Sequence, residues 1–138
     1  MFQTELRIST HGKGLYLFNR EAESLLEGHL PDTGLVHLFL QHTSASLVIQ
    51  ENADPTAKND LETFMERLAP EDEAWHTHTV EGPDDTTSHL KSALTQSFLV
   101  LPVQNGRLAL GTWQGLYLWE HRRAPHTRRI LITVMAGQ

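Results

Sequence analysis

Phe98-Leu99-Val100-Leu101-Pro102-Val103-Gln104-Asn105-Gly106-Arg107-Leu108 sets the architecture of this chain. A short apolar run with β-branched residues ends in an Asn-Gly pair, the strongest short-range hairpin signal, and the chain pairs back from Leu108. The spacing therefore predicts an antiparallel ladder here. Downstream, Trp113 to His121 reads as extended, and Arg128 to Met135 as a final strand with β-branched residues. Upstream, Leu35 to Ile49 reads as extended, with Val36, Leu38 and Leu40 on one face and His42 continuing that parity. Residues 2–8 form a further strand, with Phe2, Thr4, Leu6 and Ile8 in phase. A second short apolar run, Leu15 to Phe18, follows the His11-Gly12-Lys13-Gly14 turn.

Helices are fewer. Asn19 can cap one that runs through Leu25, Leu26 and His29 until Pro31 to Gly34 ends it. The clearest has Asp54 as cap, Pro55 at its first position and an apolar stripe of Ala57, Leu61, Phe64, Met65 and Leu68. Thr86 or Thr87 can cap a shorter one through His89, Leu90, Ala93 and Leu94. Strands outnumber helices and do not alternate with them as βαβ units. The expected fold class is α+β, with largely antiparallel sheets and two or three helices.

The chain of 138 residues is expected to be a single domain spanning 1–138. Its net charge of -6 argues against nonspecific nucleic-acid or anionic-membrane binding. With no cysteine there can be no disulfide, thiolate metal site or cysteine nucleophile, which suits a reducing cytoplasm. The N-terminus has no signal-peptide pattern. The weakly charged stretch from Lys91 to Glu120 is too broken by Pro102, Gln104, Asn105, Gly106 and Gly111 to span a membrane.

Nine histidines are the main chemical lead. His42, in His42-Thr43-Ser44-Ala45, has the parity of a buried face; it is a functional group or a core histidine bonded to a backbone carbonyl. His76 and His78 share a face if extended, and His89 falls in the first turn of the third helix; their spacing matches no short metal signature. Glu120 is in phase with Leu116 and Leu118 and needs a partner if buried: Arg123, Arg128, a histidine or a metal. Otherwise it ends its strand in solvent. Asp60 flanks the stripe of its helix and reads as exposed. Arg122, Arg123, Arg128 and Arg129 form a local basic cluster that could grip a phosphate or carboxylate.

His42-Thr43-Ser44-Ala45, Gln50-Glu51-Asn52, Asp54-Pro55, Asp60, His78, His89, Gly106, Gly111-Thr112-Trp113-Gln114, Glu120 and Arg128, in this order, resemble the YjbQ-like family from about Leu15 to Val134. The resemblance implies a compact α+β protein with a sandwich-like core, assembled as a homotrimer. It further implies a histidine-rich pocket for a divalent metal, with His42, His78 and His89 as ligands and zinc as the expected ion, magnesium being the alternative. Asp60, Glu120 and Arg128 fall on the positions expected to be catalytic, and Thr43, Ser44, Trp113 and Gln114 on those expected to bind the ligand. The implied activity is that of a secondary thiamine-phosphate synthase, joining hydroxymethylpyrimidine pyrophosphate and thiazole phosphate. Displacing pyrophosphate calls for a divalent metal and for Arg or Lys, and a magnesium site would favour Asp60, Glu51 or Glu120. A histidine cluster suits zinc and hydrolysis better. A zinc-dependent hydrolase, or a protein that binds a small phosphorylated metabolite, is therefore the alternative expectation.

Overall fold

The computed structural model describes residues 1–137. Among them lie eight strands and three helices: β1 Phe2–Thr10, β2 Gly14–Leu17, α1 Asn19–Leu26, β3 Thr33–Leu40, β4 Ala45–Glu51, α2 Pro55–Leu68, α3 Asp85–Leu94, β5 Phe98–Gln104, β6 Arg107–Leu108, β7 Gln114–Glu120 and β8 His126–Ala136. Five strands form one sheet in the order β1-β8-β3-β5-β6, and three form another in the order β2-β7-β4. Every pairing between these strands is antiparallel. The α+β class expected from the sequence is the class observed.

Period-two patterning places the core. Ile130, Ile132 and Val134 of β8, Val36, Leu38 and Leu40 of β3, and Leu99, Leu101 and Val103 of β5 are buried in alternation. They meet Leu47, Leu116 and Leu118 of the smaller sheet, with Ala22 and Leu26 of α1, in one apolar cluster. The Asn-Gly hairpin forms as read: Asn105 and Gly106 both take positive φ, and Gln104 pairs with Arg107. No helix among the described residues is long and apolar enough to cross a membrane.

Three local readings need correction. Leu35 to Ile49 is two strands rather than one, broken over Gln41 to Ser44. Asn19 is not a helix cap, because its Oδ1 accepts the backbone N–H of Leu116 at 2.6 Å and ties α1 to β7. Neither Thr86 nor Thr87 caps α3, which starts earlier, after Asp84. Their hydroxyls are spent on tertiary bonds, Thr86 donating to the His78 carbonyl and Thr87 to that of Pro70.

Asp54 does cap α2, accepting the Thr56 N–H at 2.9 Å. The stripe of that helix is only partly buried: Met65 is inside, whereas Phe64 and Leu68 are 59% and 54% exposed. The helix touches the smaller sheet along a narrow line, centred on Met65 against Leu15, Tyr117 and Trp119.

Candidate metal centre

The loop into α3 builds the site. Gly82, at φ +106°, turns the chain so that Asp85 N–H reaches the Gly82 carbonyl and the helix begins at Asp85. The Asp84 carboxylate faces away from the helix end: it accepts from Arg122 Nε at 3.1 Å and from the Arg123 N–H at 2.9 Å. Burial alone would raise its pKa, but these donors outweigh it and hold the carboxyl below the usual range.

Asp85 is 4% exposed and lies one helical turn before His89. Its Oδ2 is 2.7 Å from His78 Nε2, and its Oδ1 is 3.4 Å from His89 Nε2. One ligand atom each from His78, Asp85 and His89 lie within 4.8 Å of one another. The supporting groups are fixed as well. His89 Nδ1 is 2.8 Å from the Thr43 carbonyl, which puts the proton on Nδ1 and leaves Nε2 with a free lone pair. Arg122 Nη1 donates to Asp85 Oδ1 at 2.8 Å.

Two imidazoles and a carboxylate, one imidazole oriented by a carbonyl, are a donor set that fits zinc or a similar borderline ion, leaving one coordination position open. Magnesium asks for oxygen ligands. The carboxylates named for it do not gather: Asp60 and Glu51 are exposed, and Glu120 is bound to arginine.

The expected site residues therefore divide. His78 and His89 converge, and the third group beside them is Asp85, which the sequence reading does not single out. Its i, i+4 spacing to His89 is a usable signal. It is lost when the helix is started at Thr86 or Thr87, after Asp85.

His42 stands apart from the triad. Its Nε2 accepts the Arg129 backbone N–H at 2.8 Å, in place of the bond to a carbonyl that the sequence suggests. Desolvation, with Arg128 and Arg129 beside it, holds its pKa below the ordinary histidine value. Arg128 is the partner of Glu120: Nε donates to Oε1 at 2.8 Å and Nη2 to Oε2. Nη2 also reaches the Ser44 carbonyl and hydroxyl, at 3.2 and 2.9 Å. Thr43 thus fixes His89 through its carbonyl, and Ser44 fixes the buried Arg128 through its carbonyl and hydroxyl.

Trp113 and Gln114 lie elsewhere. Gln114 pairs with Glu51 at one end of the β4–β7 ladder, whereas Glu120 pairs with Ala45 at the other. Gln114 Oε1 accepts the Gly111 N–H at 2.7 Å, and Trp113 is 63% exposed.

A family model described as UPF0047 protein YjbQ-like matches residues 4–137. The UPF0047 protein sll1880 of Synechocystis is 48% identical over 132 residues, covering 96% of this chain and 90% of the relative. The UPF0047 protein YjbQ of Escherichia coli O157:H7 is 44% identical over 134 residues, 96% of each chain. The crystal structure of the conserved hypothetical protein TT1486 from Thermus thermophilus superposes with a TM-score of 0.85 at 37% identity, over 96% of this chain and 99% of that one. The chain belongs to the YjbQ-like UPF0047 family.

Proposed function

We propose that the protein is a zinc-dependent enzyme acting on a small phosphorylated metabolite, with hydrolysis as the reaction its ligand set suits best. The observation that carries this reading is the convergence of His78, Asp85 and His89, supported by the Thr43 carbonyl and Arg122. When bound, zinc supplies Lewis acidity toward a phosphoryl oxygen or water. The chain's own residues hold the site: Thr43 fixes the His89 ring, and Arg122 pins Asp85. Arg129, exposed and without a carboxylate partner among the described residues, adds positive charge beside His42.

The second reading is thiamine-phosphate synthesis as a weak or secondary activity, for which Arg129 is the one arginine between Arg122 and Arg129 not paired with a carboxylate among the described residues. A homotrimer resident in the cytoplasm belongs to both readings. The exposed apolar side chains Phe64 and Leu68 of α2, and Phe39 and Phe98 of the larger sheet, support assembly.

Metal content of tag-free protein, by mass spectrometry beside His89→Ala, tests the centre. About one zinc per chain, lost in the variant, is expected from a single three-ligand site. Pyrophosphate release from the two thiamine precursors, set against phosphate release from simple phosphomonoesters, then separates synthase from hydrolase. Metal-free protein, whose stability chelator leaves unchanged, would overturn both the zinc reading and the hydrolase built on it.

A further inference from the structure

The hydrogen bonds around His42 leave two donors without an acceptor. Because Nε2 accepts the Arg129 N–H at 2.8 Å, the proton of the neutral ring sits on Nδ1. That atom lies 3.5 Å from Arg128 Nη1, which is also a donor, so the pair cannot satisfy each other. The remaining nitrogens of Arg128 are spent on Glu120 and Ser44. The arginine is 3% exposed, and a buried guanidinium N–H without an acceptor is costly.

We infer that His42 Nδ1–H and Arg128 Nη1–H together form a seat for one oxygen of a substrate phosphate. Charge-assisted donors side by side are what a phosphoryl oxygen requires. The seat joins the triad through the backbone, since Thr43, the next residue after His42, gives its carbonyl to His89. His42 is then an anion-binding residue and not a metal ligand. One of its nitrogens is capped by an amide, and a cation on the other would face the Arg128 guanidinium. The inference rests on the reading that the substrate is phosphorylated, and it names the group that would hold the phosphate.

The test titrates inorganic phosphate into the full chain stripped of metal with chelator, and reads the His42 ring by nitrogen-15 NMR. The Nδ1–H tautomer is expected, with a His42 shift on adding phosphate. His42→Met keeps a weak acceptor for the Arg129 N–H but has no donor. It should weaken phosphate binding about tenfold, the scale of one charge-assisted bond. Zinc stoichiometry, read separately, should stay that of the wild type. An Nε2–H tautomer, unchanged phosphate affinity in His42→Met, or loss of zinc in that variant would each overturn the seat. Failure of the wild type to take up zinc would instead strike the metal centre and leave the phosphate result standing.

Discussion

Arg128 of β8 and Glu120 of β7 form an ion pair that bridges the two sheets, with the arginine 3% and the glutamate 1% exposed. Thr10 Oγ1 adds a bond to Glu120 Oε1 at 2.6 Å. Burial alone would raise the carboxyl pKa, but the bonds from Arg128 and Thr10 outweigh it and hold it below the ordinary range. Removing one partner leaves a buried charge alone. Glu120→Gln should cost about 3–5 kcal/mol in urea denaturation at neutral pH. The depressed carboxyl contributes stability at neutral pH that is lost as acid protonates it, so this variant should also show a shallower loss of stability below about pH 4.

His121 gives a second pH dependence in a different window. It is 1% exposed, bonded through Nε2 to Ser46 Oγ at 2.8 Å. Burial, with Lys91 and Arg128 near it, pushes its pKa down to about 3 from 6.5. The unfolded chain therefore binds a proton that the folded one refuses, and stability falls as pH drops from 6.5 toward 3. The slope from this group should approach about 1.4 kcal/mol per pH unit. Denaturant midpoints for wild type and His121→Asn over this range should show that slope in the wild type alone.

The proposed metal centre makes a ranked prediction. His78→Ala, Asp85→Asn and His89→Ala should each abolish tight zinc binding, whereas Asp60→Asn, on an exposed position of α2, should keep full stoichiometry. Arg122 touches Asp85 but is not a ligand, and Arg122→Gln should weaken zinc about 10–100-fold. Competition against a zinc chelator measures all five proteins.

Gly34 is held by close approach and not by a special φ. A Cβ there would collide with the Met135 carbonyl and come within 2.9 Å of Pro31 Cγ. The carbonyl is backbone of the paired strand β8 and cannot move aside. Gly34→Ala should lower stability by about 1–3 kcal/mol, read from the thermal midpoint.

Much of the site is written in the sequence as phase. Arg128 stands in register with Ile130, Ile132 and Val134, and Glu120 with Leu116 and Leu118, so two opposite charges on inward faces have to find partners. The choice among Arg123, Arg128, a histidine and a metal is not legible there, because strand phase gives a face and not a neighbour. Asp85 escapes for a similar reason. Its carboxylate reads as an ordinary polar loop residue until Gly82 and the arginines bound to Asp84 set where α3 begins.

The class of the fold follows from local signals: alternating apolar strands, an Asn-Gly hairpin and the capped helix after Asp54 are governed by contacts a few residues apart, and the sequence carries them without help. The site comes from tertiary packing. That packing brings His78, Asp85 and His89 together, gives Arg128 to Glu120, and places Trp113 and Gln114 at the far end of the β4–β7 ladder. Those relations depend on how two sheets and a helix pack across long stretches of chain, and no periodicity within one element encodes them.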